Sequence, residues 1–237
     1  MMKSYNENSS EINEKAFDLE LEVTHILHQI GVPAHIKGYQ YLRTAIMLVV
    51  EDCDIIDSAT KRLYPSVAKK YGTTTSRVES AIRKALDITW DRGDVDILNS
   101  IAGNRCRPTP TEFIAMIADY LTVKESDDPM LTTVTKILHQ CGVPADIKGY
   151  RYLRMAIMLV VEDCDRVKHI YPDVAEKYQT TTSRVEGAIR KAIEISWYRG
   201  DVDILDSYFG YNRGRPTPKE FIAIIADDLR LKYGKFN

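Results

Sequence analysis

The sequence predicts an all-α protein in which one domain is written twice. Three observations predict it. Val23–Asp54 aligns with Val134–Asp165 at an offset of 111, with 27 identities in 32 positions. Tyr64–Gly93 then aligns with Tyr171–Gly200 at an offset of 107, with 22 identities in 30, so the second copy is four residues shorter before Tyr171. A third block, Arg107–Ala115, recurs as Arg215–Ala223. The period is too long for a solenoid and suits a small domain. Apolar residues recur at helical spacing through both copies, and no stretch alternates with period two for long enough to make a sheet.

The elements follow in chain order. In the polar N-terminal extension, Ile12, Ala16, Leu19, Val23, Ile26 and Ile30 alternate steps of four and three. Such a seam suits a first helix packed on its own domain, or a helix that pairs two chains into a homodimer. Leu42, Ala45, Ile46, Val49, Val50 and Cys53 set one face of a helix over Tyr39–Cys53. Tyr64-Pro65 opens a short helix with proline in its first turn, Val67, Ala68 and Tyr71 face inward, and Gly72 ends it. Thr73–Ser76 reads as a turn. The next helix runs to about Trp90 with Val78, Ala81, Ile82, Ala85 and Thr89 on one face. Pro108–Leu121 closes the copy with Phe113, Ile114, Ile117 and Leu121 inward. The expected division is an extension at 1–22, a first helix-turn-helix domain at 23–121, a linker at 122–129 and a second helix-turn-helix domain at 130–232. Ser126-Asp127-Asp128-Pro129 supplies the breaker at the join.

Composition narrows the function classes. The 237 residues carry 32 Lys and Arg against 34 Asp and Glu, a formal net charge of -2. Any nucleic-acid contact must therefore come from a local cluster. Residues 1–125 hold 15 basic and 18 acidic residues, and residues 126–237 hold 17 and 16. Apolar runs such as Ala45–Val50 are far below the roughly 18 residues of a membrane span. Residues 1–14 lack the apolar core of a signal peptide. Cys53, Cys106, Cys141 and Cys164 are far apart with no CxxC spacing. The expectation is a reduced cytoplasmic protein with no membrane contact, no metal and no cofactor. His28 and His139, near the end of the first helix, suit capping or packing better than ligation. Asp94 and Asp96 suit an exposed acidic turn, and Trp90 and Trp197 the core. No catalytic constellation is present, so the chain is not expected to be an enzyme.

Ser66–Trp90 has the build of a helix-turn-helix, whose second helix normally enters the major groove. Ser76, Ser80, Arg83 and Asp87 oppose the apolar stripe, flanked by Arg77 and Lys84 on one side and Glu79 on the other. Arginine can pair bidentately with guanine, glutamate can accept from cytosine, and lysine reaches phosphate. The second copy repeats the face as Ser183, Arg184, Glu186, Gly187, Arg190 and Lys191. A generic exposed helix has similar features. Ser76 with Glu79, and Ser183 with Glu186, also fit a capping box, and Glu79 with Arg83 fits an i,i+4 ion pair.

Several longer motifs carry a family resemblance. They are the run His28–Tyr39, Tyr41-Leu42-Arg43, Leu63-Tyr64-Pro65, Thr75–Glu79, Ala81-Ile82-Arg83, Trp90–Gly93 and Glu112–Asp119. With these, each copy resembles the C-terminal DNA-binding effector domain of the stage-zero sporulation response regulator of endospore-forming bacteria. The resemblance covers about Val23–Leu121 and Val134–Leu231. It implies two tandem six-helix domains that read short promoter boxes in double-stranded DNA through residues matching Arg77, Glu79 and Arg83. It also implies an RNA polymerase sigma-subunit contact in the segment matching Asp91–Gly103. The candidates there are Asp91, Arg92, Asp94, Asp96 and Ser100, with Asp201, Asp203 and Ser207 in the second copy.

The chain departs from the family pattern in places. The recognition run of the family is similar to Ser-Arg-Val-Glu-Arg-Ala-Ile-Arg-His. Here the second Arg is Ser80 or Gly187, and the His is Lys84 or Lys191. Gln179 replaces the turn glycine, and Tyr208–Tyr211 is more family-like than Ile101–Gly103. Neither copy leaves residues that match the phosphorylatable receiver. A rival reading therefore keeps the fold but makes the chain a decoy that holds sigma factor or the full-length regulator.

Overall fold

The computed structural model describes residues 17–94, 96–98, 107–211 and 214–233. These residues are helical with connecting turns and contain no strand. The chain divides into two compact units at Leu98/Asn99.

In the first unit, α1 is described over residues 17–29 and α2 is Lys37–Glu51. A 3-10 turn (Cys53–Ser58) and a π turn (Ala59–Leu63) lead to α3, Tyr64–Lys70. Helix α4 is Thr75–Arg92. Val23, Leu27, Ile30, Leu42, Ala45, Ile46, Leu63, Val67, Val78 and Ile82 form the core. The α2–α4 crossing is set by Gly38, because a Cβ there would lie 2.1 Å from the Ala81 carbonyl oxygen. The turn between α3 and α4 needs a positive φ, supplied by Gly72 at +59°.

Thr74 is the N-cap of α4, and its Oγ1 accepts from the Arg77 N–H at 3.4 Å. Thr75 and Ser76 are thus already helical, and the capping boxes expected at Ser76 and Ser183 do not form. Threonine two residues earlier caps instead, serving the Arg77 N–H and, from Thr181, the Arg184 N–H, and Glu79 and Glu186 turn to Arg83 and Arg190. Capping boxes occur at Thr109/Glu112 and Thr217/Glu220.

The second unit contains α5 (Pro110–Glu125), α6 (Pro129–Gln140) and α7 (Lys148–Glu162). A 3-10 turn (Cys164–Lys168) leads to α8, Ile170–Lys177, and then to α9, Thr182–Arg199. Helices α10 (Val202–Phe209) and α11 (Pro218–Tyr233) complete it. Helix α11 packs on α7, α9 and α10, with Phe221, Ile222, Ile225, Ala226 and Leu229 buried. Gly149 repeats the tight crossing, since a Cβ there would lie 2.2 Å from the Ala188 oxygen, and Gln179 takes the positive φ at +49°.

The closing helix of the first copy, α5, lies in the second compact unit and packs on α6. The repeat boundary and the unit boundary therefore differ. Residues 122–125 are the last turn of α5 and Pro129 is the first residue of α6, so the join narrows to Ser126–Asp128. Helix α5 carries apolar residues on more than one face. Phe113, Ile114, Ala115, Met116, Ile117, Ala118, Leu121 and Val123 are all buried, as a helix apolar nearly all round must be.

Candidate nucleic-acid interface

Helix α4 buries Val78, Ile82, Ala85, Leu86 and Thr89. Helical geometry then sends Ser76, Arg77, Ser80, Arg83 and Lys84 outward, and all five are exposed. Glu79 is half-buried, and its Oε1 accepts from Arg83 Nη2 at 2.9 Å. In α9, Ser183, Arg184, Gly187, Arg190 and Lys191 are exposed, and Glu186 holds Arg190 in the same way. The side chains of Arg77, Lys84, Arg184 and Lys191 have no partner among the described residues. Each face thus offers two unpaired cations around an ordered Glu–Arg pair. That donor and acceptor mixture suits base edges and phosphates.

The expected sigma-contact residues have mixed roles. Asp91, Arg92, Asp94, Asp96, Asp203 and Ser207 are exposed. Asp94 Oδ1 accepts from the Asp96 and Ile97 N–H groups, at 3.0 and 3.1 Å. Asp201, half-buried, caps α10 through the Asp203 and Ile204 N–H groups. Ser100 lies outside the described residues, as do Ile12 and Ala16 of the N-terminal seam. Of the remaining seam residues, Val23, Ile26 and Ile30 are buried in the first unit's core and Leu19 is half-buried. Sequence reading missed three exposed large side chains near Asp201 and Asp203 in sequence. Tyr198, Val202 and Tyr211 are 78%, 66% and 74% exposed. Only the departure of Tyr198 from Asp91 in the first copy signalled them.

Sequence reading also missed a buried polar cluster. Asp119 of α5 accepts from Arg154 Nη1 and from the Tyr150 hydroxyl of α7. His139 stacks on Tyr150 with ring centroids 5.5 Å apart, its Nε2 3.0 Å from the hydroxyl. Burial, reinforced by the Asp119 charge, holds the Tyr150 phenol well above its usual range. Burial opposes the charge on Arg154, but the Tyr150 and Asp119 oxygens outweigh it and raise the guanidinium's pKa. In the first copy, His28 stacks on Tyr39 at 5.6 Å, and Arg43 pairs with Glu20 of α1 at 2.9 Å. Both histidines pack, as their positions suggest. Among the described residues there is no cluster that could hold a metal, and no helix is long and apolar enough to cross a membrane.

The family model "Sporulation initiation factor Spo0A C terminal" matches twice, over residues 23–121 and 134–229. The chain belongs to this family. The two matches leave little of the folded chain unaccounted for and fall on the two repeats. The family is one of DNA-binding effector domains rather than of enzymes. The exposed faces of α4 and α9 lie at the second helix of each copy's helix-turn-helix.

Proposed function

We propose that this protein is a sequence-specific transcription regulator whose two helix-turn-helix domains, joined by a peptide, dock on adjacent promoter boxes. In this reading the covalent tandem replaces signal-induced pairing of two effector domains. The observation that carries it is the twin exposed faces, Arg77/Glu79/Arg83 and Arg184/Glu186/Arg190, each set opposite a buried apolar stripe. Linking two binding modules can raise avidity about 10²–10⁴-fold where both can dock at once. The near-neutral charge implies few phosphate contacts, hence modest and salt-sensitive binding.

Titrating the full chain onto DNA with one family box or with two tests this. Two boxes should bind at least about tenfold tighter, and equal affinity would refute tandem docking. Arg77→Ala and Arg184→Ala should each lose about 1–3 kcal/mol of discrimination between a box and scrambled DNA. The exposed side chains of Tyr198, Val202 and Tyr211 favour a second reading, in which the end of α9 and α10 holds the RNA polymerase sigma subunit or the full-length regulator. Pull-down of sigma subunit lost on Tyr198→Glu, with DNA binding intact, would support it.

A further inference from the structure

The two copies share a reading face but not its surroundings. Ser76, Arg77, Glu79, Arg83 and Lys84 of α4 recur unchanged in α9 as Ser183, Arg184, Glu186, Arg190 and Lys191. A change of charge lies instead on the closing helix. At an offset of 108, Lys219 in the first turn of α11 stands where the first copy has Thr111.

Lys219 is seated against the start of α8, the first helix of the second helix-turn-helix. Its ammonium lies 5.7 Å from the centroid of the Tyr171 ring and donates to the Lys168 carbonyl oxygen at 3.1 Å. Tyr171 is half-buried, and burial holds its phenol above the usual range. The Glu186 charge adds to that shift and the Arg190 charge opposes it, so the ring lies within electrostatic reach of the reading face of α9. A groove of about 220 Å³ is lined by Arg190 and Ile193 of α9 and by Arg215, Pro216, Thr217 and Pro218. It thus joins α9 to the residue next to Lys219. Lys219 stands on the rim of the reading face, although α11 is not part of the helix-turn-helix.

The Lys219 charge is not neutralised. No carboxylate pairs with it among the described residues, whereas Asp165 holds Lys168 at 2.9 Å, Glu186 holds Arg190 and Glu194 holds Arg215 at 3.4 Å. A lysine ammonium has three donors, and the carbonyl takes one. When a helix-turn-helix docks, its second helix enters the major groove and its first crosses the sugar-phosphate backbone. A cation at the start of that first helix then meets phosphates, which lysine serves as a point charge without reading sequence.

We propose that Lys219 gives the second domain a DNA-phosphate contact that the first domain lacks. The contact rests on the DNA-binding reading above and names a residue outside the recognition helix. The first copy keeps the matching tyrosine and turn lysine, Tyr64 and Lys61, but Tyr64 is buried and the closing helix brings an uncharged threonine. The charge of the two halves runs the same way, 15 basic to 18 acidic residues over 1–125 and 17 to 16 over 126–237.

The experiment is a salt titration of the full chain on a two-box duplex and on a scrambled duplex of the same length, followed by fluorescence anisotropy. Lys219→Thr installs the first copy's residue. It should lower the slope of log K against log salt by about 1, and weaken binding to both duplexes by the same factor, roughly 3–10-fold at about 0.1 M salt. Lys219→Arg should restore the wild-type slope. Lys232→Thr removes an equal charge from the far end of α11, where Asp228 already holds it at 2.7 Å, and should leave the slope unchanged. Both lysines are exposed, and circular dichroism checks the helical fold. A wild-type slope in Lys219→Thr would overturn the proposal and leave DNA binding standing. An equal drop in Lys219→Thr and Lys232→Thr would overturn it as a general charge effect, and a loss confined to the two-box duplex would overturn it as a base contact. A wild-type chain that binds neither duplex would refute the DNA-binding reading itself, and this contact with it.

Discussion

The α1–α2 surface of the first copy and the α6–α7 surface of the second share 27 of 32 residues, yet one is open and the other is covered. Around Arg43 the carboxylate comes from Glu20 on the neighbouring helix, and both side chains stay partly in water. Around Arg154 position 131 is leucine, and the carboxylate comes from Asp119 on α5, with both side chains mostly buried. The lesson is that an arginine held in a helical pair needs an acid, and whichever acid lies nearest decides what covers the surface. A local acid satisfies the arginine within the helix pair. An acid from elsewhere in the chain makes the arginine a docking point.

The largest effect that would break the comparison comes from the two acids. Asp119→Ala strands a buried guanidinium and a buried phenol, and should destabilise the second unit by about 3–5 kcal/mol in urea unfolding. Glu20→Ala removes a half-exposed partner and should change stability by no more than about 1 kcal/mol. Equal effects would mean that the two surfaces are energetically alike.

Next come the helix crossings, where the copies should behave alike. Gly38→Ala and Gly149→Ala each drive a methyl into a backbone carbonyl, at 2.1 and 2.2 Å. Each should cost about 1–3 kcal/mol, because backbone cannot step aside as a side chain can. A much smaller cost in one copy would show that its α2–α4 type crossing is looser.

The alkaline limb sharpens the contrast further. Cys141, buried where the first copy has Ile30, is pushed up to about 12 by burial, and Tyr150 is raised as well. Both groups stay protonated in the folded chain above pH values where the unfolded chain releases its protons. Their contribution is intact below pH 9 and is lost as the pH rises toward 12, at up to about 1.4 kcal/mol per pH unit for each group. Cys141→Ile should flatten this loss in urea unfolding followed from pH 8 to 11. In the native chain, maleimide should label the exposed Cys53 and Cys164 but not Cys141.

The smallest effects lie in the turns. Gln179 holds φ +49° where the first copy has Gly72, so Gln179→Gly should stabilise the second unit by about 0.5–1 kcal/mol. Gly187 faces open space inside α9, and Gly187→Ala should add about 0.5–1 kcal/mol. Thermal melts would resolve both. A loss of stability on either change would show that the second copy relies on these departures.

Much of the candidate interface was legible because it is local. Val78, Ile82 and Ala85 bury one stripe of α4, and the 3.6-residue period then obliges Arg77, Ser80, Arg83 and Lys84 to face water. The cap was misjudged because Thr74 and Ser76 are both good N-cap residues, and only backbone geometry chooses between them. Asp119 was passed over because a carboxylate on a closing helix carries no local sign of a partner 31 and 35 residues later.

The duplication, the helical class, the helix-turn-helix and the outward basic face were determined by the sequence alone, since each follows from residue order within a few helical turns. Only the tertiary structure decided that α5 lies in the second compact unit and that Arg154 takes its carboxylate from α5 while Arg43 takes one from α1. Those outcomes depend on which apolar and acidic groups meet across long separations. Apolar burial is non-directional, so an apolar stripe states that it must be covered without stating by what.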